Sequence, residues 1–130
     1  MKKKILVFED EWSTIKGSFE LANIYAFNGE LEYETHPKSQ EVYYGDWDER
    51  YDAVFVDITL AKNSKWDGFS IISTIKEKQL FDLKKVIIMT GNSKVEDRLI
   101  ENGIDARQLT ILYKPIAFDE LAEVLKKVLV

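Results

Sequence analysis

The chain contains no cysteine, a single histidine and only two prolines. Without cysteine it can form neither disulfides nor thiolate metal sites, which fits a reducing compartment. The lone His36 has no second histidine or cysteine to share a metal with, and no role is assigned to it. Long hydrophobic runs are also missing. The basic start Met1-Lys2-Lys3-Lys4 leads into an apolar stretch that stops at Phe8, too short for a signal-peptide core or a membrane span. A cytoplasmic location without membrane attachment is therefore expected. Positive charge is in the minority, with 18 Lys and Arg against 23 Asp and Glu for a net charge of -5, which argues against a nucleic-acid surface. No linker rich in Gly, Ser or Pro, no repeat and no low-complexity tract interrupts the chain. What remains is 130 residues, 45% hydrophobic and 32% charged, a length that suits one domain over 1–130 with one core.

Four apolar runs stand out, each followed by polar chemistry. Ile5-Leu6-Val7-Phe8 ends on Glu9-Asp10, and Ala53-Val54-Phe55-Val56 ends on Asp57. Val86-Ile87-Ile88-Met89 ends on Thr90, and Leu109-Thr110-Ile111-Leu112-Tyr113 ends on Lys114-Pro115. Short β-rich runs bounded by polar residues read as buried strands. Ligands of open parallel sheets bind beyond the carboxyl ends of the strands, so such a sheet would gather three acids, a hydroxyl and an ammonium at one edge.

Strands and helices alternate, which implies an α/β fold with a mostly parallel sheet. Strands are expected over 3–8, 31–36, 53–57, 85–90 and 109–113. A helix is expected over 12–28, with Ile15, Phe19, Ala22 and Ala26 inward, Ser13 as N-cap and Asn28-Gly29 as its stop. The stretch 37–50 lacks periodicity and reads as a short irregular helix. A helix beginning near Asp67-Gly68 should bury Phe69, Ile72 and Ile75. A short one follows over 94–102, and the last, 118–129, should bury Phe118, Leu121, Leu125 and Val128.

Carboxylates are the hard ligands that Mg²⁺ prefers, and Asp10 and Asp57 could supply two, with Glu9 holding a coordinated water. Three acids packed together repel unless a cation neutralises them, so a divalent ion should stabilise the fold. A carboxylate can also attack phosphorus, and Asp57 is best placed to do so. The ion, the Lys114 ammonium and the Thr90 hydroxyl could then bind the phosphoryl oxygens, the positioning and charge stabilisation that phosphoryl transfer requires. Pro115 fixes the chain after Lys114, and a cis bond there would aim the lysine inward. Singly, each residue has a plainer reading as a helix cap, a turn former or a surface lysine. Their order along the chain carries the functional one.

These segments, with Asp67-Gly68 and the extensions Glu11, Gly91 and Ile116, resemble the receiver domains of response regulators, the CheY-like family, over Lys3 to Val130. The resemblance implies a doubly wound, flavodoxin-like five-stranded parallel sheet of order 2-1-3-4-5 flanked by five helices. It makes Asp57 the phosphoacceptor of a two-component phosphorelay, fed by a histidine kinase or a histidine phosphotransfer protein. Glu9, Asp10, Asp57 and the backbone carbonyl of Thr59 would hold Mg²⁺. Thr90 would be the switch hydroxyl, Lys114 the phosphoryl-binding ammonium, Pro115 its support and Gly91 the small residue beside the switch. Such a chain would be expected to act as a stand-alone switch without an output domain, catalysing only its own phosphorylation and dephosphorylation and signalling by contact with a downstream protein.

Two departures matter. Asp57 and Asp67 are ten apart with no proline between them, a longer loop than the family's usual one, and a tolerated surface insertion is its plainer reading. The position where the family carries a switch aromatic holds Ile111, and the nearby Tyr113 is expected on the opposite face of the strand. Thr59 and Asn92 occupy positions that tune dephosphorylation in that family. Trp47 and Trp66 are expected in loops, as a partner surface or half-buried beneath a loop, while Trp12 lies just past the acidic pair. A rival class is a receiver-like interaction module that no longer switches. A dehalogenase-type phosphatase is disfavoured because Thr59 stands where its second acid belongs. A flavin carrier is disfavoured because acids, not a turn of N–H donors, follow the first strand.

Overall fold

The computed structural model describes residues 2–129; Met1 of the basic start and Val130 at the far end of the resembling stretch lie outside them. Five strands, β1 (Lys3–Phe8), β2 (Leu31–His36), β3 (Ala53–Asp57), β4 (Val86–Thr90) and β5 (Thr110–Tyr113), form one sheet. All its pairings are parallel, and the order is β2-β1-β3-β4-β5. Between them run the α-helices α1 (Trp12–Phe27), α2 (Trp47–Arg50), α3 (Gly68–Lys78), α4 (Val95–Glu101) and α5 (Phe118–Val128). Single 3-10 turns span Ser39–Glu41, Leu83–Lys85 and Ala106–Gln108.

Side chains alternate across a pleated strand, and here the alternation sorts the core into two layers. Leu6, Phe8, Val54, Val56, Val86 and Ile88 face α2, α3 and α4, joined by Trp47, Ile71, Ile72, Ile75, Val95 and Leu99. Ile5, Val7, Ala53, Phe55, Ile87 and Met89 face α1 and α5, joined by Phe19, Ala22, Leu121 and Leu125. A sheet covered on both sides explains why the strands are continuous apolar runs instead of alternating ones.

Several expectations change. Helix α1 is preceded by Glu11, whose side chain makes no cap; Ser13 lies inside the first turn. Its stop is as read, with Asn28 left-handed at φ 54°. Phe118 is not core: it is 39% exposed and lies against Tyr25 across the α1–α5 surface, its ring centroid 6.0 Å away. Ala122 is buried on the inner face of α5. Trp47 is fully buried, with its indole N–H donating to Tyr43 O at 2.6 Å. Tyr113 does not oppose Ile111. Ile111 packs on the α3–α4 layer and Leu112 on the other, so alternation returns Tyr113 to the Ile111 side, where it is 41% exposed.

Candidate functional site

The parallel register brings the polar ends of the runs together. Phe8 lies level with Val56, Asp57 with Met89 and Thr90 with Tyr113, so Glu9-Asp10, Asp57, Thr90 and Lys114 all emerge at one sheet edge. Backbone bonds from Glu9 N to His36 O (3.0 Å) and from Lys114 N to Thr90 O (2.8 Å) carry the ladder one step past the strands.

Glu9 is buried to 1% exposure and Asp57 to 5%, whereas Asp10 is exposed. Carboxylate oxygens of the three lie within 4.8 Å of one another. Lys114 reaches in from beyond β5, preceding the cis bond to Pro115, and its Nζ stands 2.7 Å from both Asp57 Oδ2 and Glu9 Oε1. With Asp57 this is an aligned hydrogen bond. With Glu9 it is a close ion pair at the buried Oε1. Glu9 Oε2 accepts from Glu11 N at 3.1 Å, and Asp57 Oδ1 accepts from Thr59 N at 2.9 Å. Thr90 is buried, and its Oγ1 accepts from Asn92 N at 3.0 Å, which leaves its proton free to donate. Thr59 and Gly91 are exposed, and Pro115 lies at the surface.

Burial pushes the Glu9 carboxyl up to about 7, and the Asp57 charge beside it adds to the rise, together outweighing the Lys114 ammonium. Lys114 itself is raised: burial disfavours its charge, but the bonds to Asp57 and Glu9 prevail. Three carboxylates against one ammonium leave excess negative charge when all are ionised. The surplus and the all-oxygen donor set fit a divalent cation, so the cluster could hold a metal ion. Asp10, Glu11, Asp57 and Lys114 border a cleft of about 290 Å³ that also reaches Thr59, Thr90, Gly91 and Asn92, with Glu9 buried behind it. Larger hollows lie between α4 and the turn after it (about 480 Å³) and between α1 and Pro115 (about 430 Å³), so charge, not volume, singles out the site.

The longer loop after Asp57 is not a free insertion. Its residues 63–66 are hydrogen-bonded by Ser39 and Gln40, from the turn after β2. No local pattern in 37–50 marks these two residues, because their partners stand 23 to 27 positions away.

The sequence matches no protein-family model and no curated protein. Solved structures are similar throughout. The receiver domain of a Pseudomonas aeruginosa sensor histidine kinase, with magnesium coordinated in its active-site cleft, is 21% identical, covers 99% of this chain and 98% of its own, and has a TM-score of 0.72. The receiver domain of NtrX from Brucella abortus is 23% identical, with 96% and 97% covered and a TM-score of 0.67. That of a Francisella response regulator is 16% identical, with 98% and 97% covered and a TM-score of 0.67. Sheet order, flanking helices and near-complete overlap agree: the chain has the fold of the response-regulator receiver domains.

Proposed function

We propose that this chain is a phosphoacceptor of a two-component relay, and that Asp57 takes a phosphoryl group from the phosphohistidine of a kinase or phosphotransfer protein. The observation that carries this is Asp57 itself, a nearly buried carboxylate held between Lys114 and the Thr59 amide beside two further acids. A carboxylate oxygen of Asp57 forms the new P–O bond while the P–N bond to the donor imidazole breaks. Lys114 stays beside the acceptor and meets the incoming negative charge. Thr90 has a proton free to donate to a phosphoryl oxygen, and Thr59 and Gly91 border the same cleft.

Glu9, Asp10, Asp57 and the Thr59 carbonyl are the residues that would hold Mg²⁺, the ion coordinated in the active-site cleft of the Pseudomonas aeruginosa receiver domain. When bound, the ion would offset the acids and the phosphoryl charge. The chain would turn over only its own phosphoryl group and pass the signal by contact with a downstream protein, in the cytoplasm. Among the described residues no helix is long and apolar enough to cross a membrane. One observation favours a second reading, a non-switching interaction module: Ile111 packs on the core where a mobile aromatic would otherwise sit.

The deciding experiment is intact mass after incubation with acetyl phosphate and Mg²⁺. Wild type should gain a single phosphoryl adduct that requires Mg²⁺, and Asp57→Asn should gain none. An adduct that survives Asp57→Asn refutes the assignment. No adduct from acetyl phosphate or from phosphorylated donor proteins leaves the non-switching module.

A further inference from the structure

The loop between β3 and α3 lines an open pocket and packs on the core through Leu60 and Trp66. This half-open pocket of about 300 Å³ is lined by the loop itself, from Ile58 to Phe69, and by Arg98 of α4. The loop's backbone is held by hydrogen bonds from a neighbouring segment. Ser39, fully buried, donates its N–H to Ser64 Oγ (2.8 Å), and its Oγ accepts from Trp66 N (2.9 Å). Gln40 Oε1 accepts from Lys65 N (2.8 Å), and its Nε2 donates to Asn63 O (2.8 Å). Tyr44 completes the brace: its hydroxyl donates to Ser39 O at 2.9 Å, and its ring meets the Trp66 ring edge-on at 5.0 Å. Two adjacent side chains thus satisfy the backbone of a segment that would otherwise be left to water.

The other end of the same loop belongs to the acidic site. Thr59 N donates to Asp57 Oδ1, and Gly68 N closes the base of the loop on Ile58 O at 3.0 Å. The loop is held on Asp57 at one end and on Ser39 and Gln40 at the other. Groups outside a metal's immediate ligands set how well those ligands are aimed, and ordering them beforehand lowers the entropy lost on binding.

We infer that Ser39 and Gln40 are positioning residues of the acidic site. By clamping residues 63–66 they hold Thr59 in the arrangement that binds the divalent ion and sets the lifetime of the phosphoryl group on Asp57. The lifetime half of this inference rests on the phosphoacceptor reading; the ion-binding half stands without it.

The test compares the full chain with Gln40→Ala, Ser39→Ala and the matched control Asn23→Ala. Asn23 brackets the backbone of Leu31 with two bonds of the same kind at the opposite end of β2. Mg²⁺ affinity is read by titration calorimetry, and adduct lifetime by intact mass after acetyl phosphate is removed. Both clamp variants should weaken Mg²⁺ binding about three- to tenfold and change the lifetime by at least about threefold, while Asn23→Ala lowers thermal stability and moves neither. Gln40 is at the surface, so its variant decides the question if Ser39→Ala does not fold. Wild-type Kd and lifetime in a folded Gln40→Ala overturn the inference, as does an equal shift in Asn23→Ala or a wild type that binds no Mg²⁺. A wild type that binds Mg²⁺ but takes no adduct sinks the phosphoacceptor reading instead, and the clamp is then decided on Kd alone.

Discussion

The two loops that flank Asp57 are built in opposite ways. Residues 58–67 are braced from outside, by side chains of the 39–44 segment and by Leu60 buried in the core. Residues 91–94 are all exposed, and their side-chain bonds are internal: Asn92 N to Thr90 Oγ1 and Lys94 N to Asn92 Oδ1. One side of the cleft is anchored to a distant segment, and the other only to its own neighbours in sequence, the buried Thr90 and Val95. A local bond whose partners are two residues apart opens without disturbing anything else, whereas the brace opens only by unpairing two segments at once. Charge added at Asp57 should therefore move the Thr90 side first.

The two glycines test this contrast most severely. A Cβ at Gly68 would come within 2.5 Å of Asp57 O and 2.6 Å of the Ile58 Cα, both backbone. A Cβ at Gly91 would meet nothing within 4 Å. Gly68→Ala should cost about 2–3 kcal/mol in urea denaturation, and Gly91→Ala no more than about 0.5 kcal/mol. Similar losses from both would show that the braced side is no tighter than the free one.

Of similar size is the pH dependence of the acid between them. The Glu9 carboxyl rises from 4.5 to about 7 on folding, so the folded state holds its proton more tightly than the unfolded chain. Its contribution is complete below pH 4.5 and is lost as pH rises through 7, a fall of about 3 kcal/mol in metal-free buffer. Glu9→Gln should flatten that part of the stability curve, and added Mg²⁺ should oppose the fall. A wild-type curve unchanged by Glu9→Gln would mean that the carboxyl is not perturbed. The smallest effect is in amide exchange: the amides of Lys65 and Trp66, bonded to Gln40 and Ser39, should exchange about tenfold more slowly than those of Gly91 and Ser93. Equal rates would erase the distinction between the loops.

Much of the sheet is legible in the sequence because its strands are short apolar runs with a fixed period, and the observed strand ends fall within one residue of those expected. The meeting of Glu9, Asp57 and Lys114 is legible for the same reason, since strand ends share an edge once the strands are parallel. What escapes has no period to betray it. Helix periodicity places Phe118 inward, yet it sits at the first residue of α5 and meets the exposed Tyr25 instead. Ser13 has the residue type of a cap, but the chain turns helical at Trp12 before reaching it. The brace from Ser39 and Gln40 is invisible in the sequence because nothing local distinguishes a serine that holds a distant backbone from one that faces water.

The three tryptophans occupy three different surroundings, with an optical consequence. Trp47 is sealed in the core and should emit as an indole shielded from solvent. Trp12, half-buried against Phe19 and Tyr33, stands two residues past Asp10. Trp66 rides on the brace, its ring against Tyr44 and under the Lys65 ammonium at 5.7 Å. A chain without cysteine cannot be labelled through thiols, but it carries a steady reference, a probe near the acids and a probe on the loop in its own fluorescence.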